Sequence, residues 1–304
     1  MEQEKSIICY EQAAMALPGR LRRAAMAEPR QRQAQAEEFR LRAGRTMTIL
    51  TGEGEWDTGV PVEPGDIEAL CNLATEFSRY AAVETLRRGF LSLQGGGRVG
   101  LCGSAVMKEG GCANLKDFSS AAIRIPREVT GIGDLLAPRL FREGRFCSTV
   151  ILSPPGGGKT TLLRDLVRCL SCGTAERPGL RVALADERGE VAVMYRGLPQ
   201  MDIGPRTDVL EGCPKAEAVP MLLRAMNPQV VAVDEITARE DLRAMTMAAN
   251  CGVGLLATIH AGSVEELRQK PLYAELLAAR VFAFAVVIRR EGGQRQYQVE
   301  ELEC

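Results

Sequence analysis

Ser153-Pro154-Pro155-Gly156-Gly157-Gly158-Lys159-Thr160 stands between an apolar stretch, Thr149 to Leu152, and a segment that reads as a helix starting near Lys159. The phosphate-loop pattern G-x-x-x-x-G-K-[ST] is met from Gly158 onward, with Ser153 where its first glycine belongs. Consecutive glycines let backbone N–H groups curl around phosphate oxygens without Cβ clashes, and the positive end of the following helix adds to the attraction. Lys159 is placed to reach the β and γ phosphates and the Thr160 hydroxyl to ligate Mg²⁺, so the expected binding set for ATP runs from Ser153, Pro154, Pro155, Gly156, Gly157 and Gly158 through Lys159, Thr160 and Thr161. A glycine-rich surface turn is the alternative. The strand before it, the helix after it and the Lys-Thr pair argue for the nucleotide.

Outward from the loop, from about Gly131 on, strands alternate with helices, the pattern of a parallel sheet covered on both faces. Thr149 to Leu152, Arg181 to Ala185, Val230 to Val233 and Gly254 to Ile259 are the expected strands. Ligands gather at the carboxyl ends of such strands, so these four ends should meet at one site. Asp234-Glu235 ends the third: Asp234 would hold Mg²⁺, directly or through water, and Glu235 would polarise the attacking water. His260, the single histidine of the chain, ends the fourth, where a donor can sense or stabilise the γ-phosphate. Asp186-Glu187-Arg188 ends the second, with a salt-bridged turn as the alternative. Phe282 to Ile288 and Gln296 to Val299, parted by Gly292-Gly293, read as an antiparallel hairpin at the sheet edge.

The 304 residues, 46 % apolar and 25 % charged with net charge -1, fit a globular chain of two domains and exclude a disordered, fibrous or strongly basic one. The longest apolar run toward the C-terminus, Val281 to Ile288, is far short of the ~20 residues that span a bilayer, and Met-Glu-Gln-Glu-Lys is unlike a signal peptide, so a cytoplasmic protein is expected. The 10 cysteines are scattered, and Cys169-x-x-Cys172 has no second pair to complete a metal site.

Residues 1–130 read as a smaller α+β domain and residues 131–304 as the α/β domain. In the first, Phe39 to Leu50 has the alternation of a hairpin about Ala43-Gly44. Ile67, Leu70, Leu73, Phe77 and Tyr80 recur at helical spacing behind Pro64-Gly65, with Asp66 as the expected N-cap. Arginines 20, 22, 23, 30, 32, 40, 42 and 45 form a run that could meet nucleic acid or acidic lipid, but acids at 28, 37 and 38 interrupt it and few aromatics are interleaved, so nucleic acid is not favoured.

With these pieces placed, the chain resembles the stage III sporulation protein AA family, relatives of the type II and type IV secretion ATPases. The resemblance rests on Glu38-Phe39-Arg40-Leu41-Arg42-Ala43-Gly44-Arg45, Arg98-Val99-Gly100-Leu101-Cys102-Gly103, Ile123-Arg124-Ile125 with Arg127-Glu128-Val129, Asp186-Glu187-Arg188-Gly189-Glu190 and, most specifically, Arg206 to Ala216, R-T-D-V-L-E-G-C-P-K-A. It implies a RecA-like ATPase domain behind the smaller N-terminal domain, using ATP and Mg²⁺. It further implies a homo-oligomeric ring, a hexamer in such relatives, peripheral to the membrane through integral-membrane components of a channel between mother cell and forespore. On that analogy Asp186-Glu187 matches the acidic box and Thr258 with His260 the histidine box, which makes Glu187, Glu235 and His260 the expected catalytic residues and Thr160 and Asp234 the metal-binding ones. Two departures stand out: the four-cysteine zinc motif of some secretion ATPases is missing, and Ser153 makes the turn costlier if its φ is positive.

Hydrolysis of this type is often completed by an arginine from a neighbouring subunit, and Arg124, Arg196 and Arg206 are equal candidates. Two other functions fit the same residues: a nucleotide-gated ring scaffold with negligible turnover, and a nucleic-acid-dependent ATPase.

Overall fold

The computed structural model describes residues 2–75, 90–108, 111–126, 129–291 and 294–302. Phe77, Tyr80, Arg127, Glu128, Gly292 and Gly293 lie outside them. The chain forms two compact units, one of Met1–Glu128 with Met194–Gln200, the other of Val129–Val193 with Met201–Cys304.

The first unit is built on a six-stranded sheet of β1 (Ala36–Arg42), β2 (Thr46–Thr51), β3 (Gly54–Pro61), β4 (Phe90–Ser92), β5 (Arg98–Lys108) and β6 (Gly111–Arg124), in the order β3-β2-β1-β6-β5-β4. Every pairing is antiparallel, and β1 and β2 form the expected hairpin about Ala43-Gly44. Helices Glu2–Ala14, Gly19–Ala27, Arg30–Gln35 and Pro64–Ala74 add the apolar side chains that the sheet needs as a cover. Tyr10, Leu17, Leu21, Ile67 and Leu70 pack with Phe39, Leu41, Ile49, Val99 and Ile123 in one core. Tyr10 donates its buried hydroxyl to the Ala25 carbonyl at 2.7 Å, which accounts for a polar atom so deep in that core.

One expectation is corrected here. Glu63, not Asp66, caps the helix Pro64–Ala74; Asp66 is its third residue and accepts the Glu63 N–H at 2.7 Å, the reciprocal half of a capping box. Pro64, with no N–H to leave unpaired, is the first helical residue rather than a preceding turn.

Arg20, Arg22, Arg32, Arg40 and Arg42 of the arginine run are turned onto this unit's own groups. Arg20 pairs with Asp66 at 2.5 Å, Arg32 with Glu28 at 2.5 Å, Arg40 with Glu38 at 2.6 Å and Arg42 with Glu55 at 2.9 Å. Arg22 donates to the Met15 and Leu17 carbonyls, and the Arg32 guanidinium lies 4.0 Å over the Trp56 ring.

The second unit opens with the helix Ile132–Leu136 and a 3-10 turn, Ala137–Leu140, ahead of the short hairpin β7 (Phe141–Arg142) and β8 (Arg145–Phe146). Its seven-stranded sheet contains β9 (Thr149–Leu152), β10 (Val182–Asp186), β13 (Thr207–Glu211), β14 (Val230–Val233), β15 (Gly254–Ile259), β16 (Phe284–Glu291) and β17 (Gln294–Glu301), in the order β13-β10-β14-β15-β9-β16-β17. All pairings are parallel except β16 with β17. Strands β9, β10 and β14 are buried along their whole length, the state that runs of Val, Ile, Leu and Ala prefer when helices cover both faces. The polar alternation of β17 suits its place at the edge. Between β10 and β13 the chain leaves this unit for a two-stranded excursion, β11 (Met194–Tyr195) and β12 (Leu198–Pro199), that belongs to the first unit. Among the described residues no helix is long and apolar enough to cross a membrane.

Candidate functional site

Register puts the four strand ends level. Leu152 lies beside Ile259, and Val233 beside both Ala257 and Ala185. The residues that follow, Ser153, Asp234 and His260, with Asp186 closing β10, therefore emerge at one edge of the sheet, as the sequence pattern predicts. β15 stands between the strand carrying the glycine loop and the strand carrying Asp234-Glu235, so His260 enters between them.

The loop itself is shaped by its glycines. Gly156 and Gly158 have φ of 71° and 102°, a region that residues with a Cβ avoid. Gly157 is held to glycine by space instead: a Cβ there would lie 1.6 Å from the Ser153 hydroxyl oxygen. Ser153 is buried and is not among the residues with positive φ, so its replacement of the usual glycine carries no backbone strain. Its hydroxyl instead donates to the Pro154 carbonyl at 3.1 Å and fills the space that the bare Gly157 leaves. Helix Lys159–Cys172 starts at Gly158 and buries Leu162, Leu163, Leu166 and Leu170 beneath the loop.

Lys159 is almost fully buried, and its ammonium donates to the Ser153 carbonyl at 3.1 Å and to His260 Nδ1 at 2.5 Å. Burial pushes its pKa down, against the opposing pull of Glu235 and Asp234. A lysine can only donate, so His260 Nδ1 is the acceptor and the ring proton sits on Nε2, which faces Glu235 Oε2 at 3.0 Å. Lys159, His260 and Glu235 thus form one connected chain across the strand ends. Arg188 adds a looser contact to the same Glu235 oxygen at 3.7 Å.

Asp234 is buried, with the Thr258 hydroxyl 3.5 Å from Oδ1. Burial raises its pKa, and the nearby charges of Asp186, Glu190 and Glu235 raise it further. A cation bound beside it would offset both effects. Asp186 is fully buried and wholly engaged: it accepts the N–H groups of Glu190, Val191 and Ala192 at 2.9, 3.0 and 2.9 Å. It shapes the loop after β10, and Arg164 holds the same loop through the Glu190 and Val191 carbonyls at 2.7 and 2.6 Å. Glu187 is bound by Lys215 Nζ at 2.5 Å; partial burial works to raise its pKa, but this partner leaves it below the ordinary value.

Three features of the loop edge fit a magnesium nucleotide. Gly157 bounds a cradle that a Cβ would fill, the helix behind it starts with no side-chain cap on its N–H groups, and burial with neighbouring acids raises the pKa of Asp234 across from Lys159. Among the described residues no three His, Cys, Asp or Glu side chains converge as a metal cage, and Mg²⁺ is commonly bound by one or two protein groups with phosphates and waters completing its shell.

The family model for sporulation stage III protein AA matches residues 9–299. The chain belongs to this family. A stage III sporulation protein AA from Bacillus subtilis (strain 168) is 35 % identical over 277 residues, which cover 91 % of this chain and 90 % of the relative. Two solved structures show the same fold at low identity. The pilus retraction motor PilT, with bound ADP, has a TM-score of 0.61 at 14 % identity and covers 88 % of this chain and 80 % of its own. The ATPase DotB of Legionella pneumophila has a TM-score of 0.56 at 13 % identity and covers 87 % of this chain and 76 % of its own.

Within this member of the family, the expected arginines differ in setting. Arg206 donates to the Ser171 carbonyl at 3.0 Å in its own unit, whereas Arg124 and Arg196 belong to the first unit. Four neighbours of the site escape the sequence reading: Arg164, Lys270, Tyr273 and Arg295. Lys270 donates to the His260 carbonyl at 3.1 Å, Tyr273 to the Ile236 carbonyl at 3.2 Å and Arg295 Nε to the Gly157 carbonyl at 3.0 Å. Only Lys270, placed before Pro271 at a helix start, carries a local signal.

Proposed function

We propose that the chain binds ATP with Mg²⁺ and hydrolyses it, working as a homo-oligomeric ring that drives a secretion-type channel during sporulation, cytoplasmic and held at the membrane by integral partners. The observation that carries the catalytic part is the Lys159–His260–Glu235 chain, level with Asp234 and facing the glycine loop. When bound, Mg²⁺–ATP supplies the electrophilic phosphorus and the leaving group. Within the Ser153–Thr161 loop, Gly156 and Gly158 to Thr161 would offer backbone N–H groups to the phosphates, Pro154 and Pro155 having none, and the Lys159 ammonium would exchange its loop carbonyls and His260 for phosphate oxygens. Thr160 and Asp234 would hold the cation. Glu235, kept in place by His260 Nε2, would accept the proton of the attacking water, and the Nδ1 edge of His260, once Lys159 leaves it, would donate to the γ-phosphate only with the ring protonated at both nitrogens. Glu187 and Lys215 set the loop on the far side of the carboxylates. The ring, its membrane partners and the sporulation channel are supported by family membership and by the likeness in fold to secretion-type motors.

Phosphate release from the full chain with Mg²⁺ and ATP tests this reading. Glu235→Gln should keep ATP binding and lose turnover about 10²-fold or more, as removal of a general base does. Lys159→Ala should lose binding. Equal turnover by wild type, E235Q and K159A, or none by wild type at concentrations that assemble it, overturns the reading.

A further inference from the structure

Strands β16 and β17 contribute more to the loop edge than a covering for β9. In their antiparallel register Arg290 lies directly opposite Arg295, and residues so paired show their side chains on the same face. Two like charges placed this way repel each other, and among the described residues no carboxylate lies within ion-pairing distance of either. Their neighbour Arg289, by contrast, has Glu300 at 3.9 Å. The paired arginines stand at the glycine loop. Arg295 Nε donates to the Gly157 carbonyl at 3.0 Å, and its guanidinium carbon is 3.4 Å from where a Cβ on Gly158 would sit. Arg290, with Arg289 and Glu291, lines a cavity of about 390 Å³ between the loop's Ser153–Gly157 stretch and the end of β16, within the range of small-ligand pockets, and Arg295 stands outside this lining on the Gly157 carbonyl.

We infer that Arg290 and Arg295 form a phosphate clamp acting within the same chain, holding the nucleotide's phosphate groups against the open side of the glycine loop. The inference rests on the reading of that loop as a nucleotide site. A phosphate placed between the two guanidiniums removes their repulsion and matches their planar, forked donors, a geometry that lysine does not offer. Arg295 donates to the Gly157 carbonyl, and a bound phosphate would draw it off that acceptor toward the cavity that Arg290 lines. The clamp differs from an arginine reaching in from a neighbouring subunit, because it acts on binding before any ring forms.

Binding of ATP and of inorganic tripolyphosphate to the full chain, followed by calorimetry, tests the clamp with R290A, R295A, R295Q and K159A. Each of the first three should bind both ligands about tenfold more weakly, the size of one charge-assisted hydrogen bond. R295Q separates clamp from latch: glutamine still donates to the Gly157 carbonyl but carries no charge, so a mere latch predicts wild-type affinity and the clamp predicts a loss like that of R295A. Melting without ligand should stay within about 1 °C for R295Q, since the side chain is exposed. Wild-type affinity in R290A and R295A, with binding lost only in K159A, overturns the clamp and leaves the nucleotide site standing. Weaker ATP binding with unchanged tripolyphosphate binding also overturns it, in favour of a contact to the nucleoside. If wild type binds neither ligand, the reading of the loop falls and the clamp with it.

Discussion

Gly157→Ala isolates the one place where this loop departs from its pattern. The φ of Gly157 is not positive, so alanine meets no backbone penalty, and the whole effect is spatial. The new Cβ would lie 1.6 Å from Ser153 Oγ, 2.9 Å from Ser153 Cβ and 3.1 Å from the Pro154 carbonyl oxygen. The first two contacts cannot exist, so either the serine leaves its buried position or the loop opens. Overpacking of that kind costs about 1–3 kcal/mol, which, taken from ATP affinity, is roughly 5- to 150-fold. Both impossible contacts belong to the Ser153 side chain. Ser153→Gly removes them and leaves only the carbonyl, which a shift of a few tenths of an ångström relieves. The double variant should therefore bind ATP much better than G157A alone, with a coupling of about 1–2 kcal/mol, while S153G by itself loses no more than the ~0.5–1 kcal/mol of an added glycine. Ser153→Ala, which keeps the contact at 2.9 Å, should rescue only in part. Melting curves and equilibrium ATP binding of wild type, the single variants and the double variants close the cycle. Additivity of S153G and G157A within about 0.5 kcal/mol would refute the claim that the serine hydroxyl fills the glycine's missing Cβ.

Asp186→Ala removes the acceptor of three loop N–H groups, two of them in buried bonds; at about 1–3 kcal/mol for each buried orphan, less the relief of removing a buried charge, a net loss of about 2–4 kcal/mol is expected. That lowers Tm by roughly 4–15 °C, and a drop below about 2 °C shows that the carboxylate does not hold the loop. Burial, chiefly, raises the Asp186 and Asp234 pKa values above the ordinary 3.8, so the folded chain binds these protons more tightly than the unfolded one. Their share of stability is full below that value and declines as pH rises through the raised ones. If Asp234 holds Mg²⁺ as proposed, the metal must displace the proton, so the Tm increase given by Mg²⁺ with ATP should grow as pH rises from about 4.5 to 7, and the trend should flatten in Asp234→Asn. A pH-independent increase in the wild type removes Asp234 from the metal site.

The parallel sheet was legible because its strands are short, continuous apolar runs, each ended by a chemically informative residue: Ser153, Asp186, Asp234 and His260. Burial on both faces leaves such a strand no polar alternation to confuse with anything else. Periodicity also marks the N-terminal helix Glu2–Ala14, where Ile7, Tyr10 and Ala14 recur at helical spacing and all lie buried. The capping error at Asp66 arose because the third residue of a capping box can carry the same short acid that a cap does, and only the bond to the Glu63 N–H tells them apart. Arg295 could not have been found at all. It lies 138 residues from Gly157 in sequence and meets it only because β16 pairs with β9 and β17 with β16. Lys215 meets Glu187 in the same way, through the pairing of β13 with β10.

The excursion Met194–Gln200 constrains how this chain is made and cut. The first unit is not finished when residue 128 leaves the ribosome: its last hairpin arrives some 70 residues later, after the glycine loop and the Asp186 turn have been synthesised. Gln200 then accepts the Gly95 N–H at 2.7 Å, a bond spanning 105 residues. Folding of the two units is therefore interleaved rather than sequential. A truncation at residue 130, natural as it looks on paper, would deprive the amino-terminal piece of a hairpin that the carboxy-terminal piece would carry away with it.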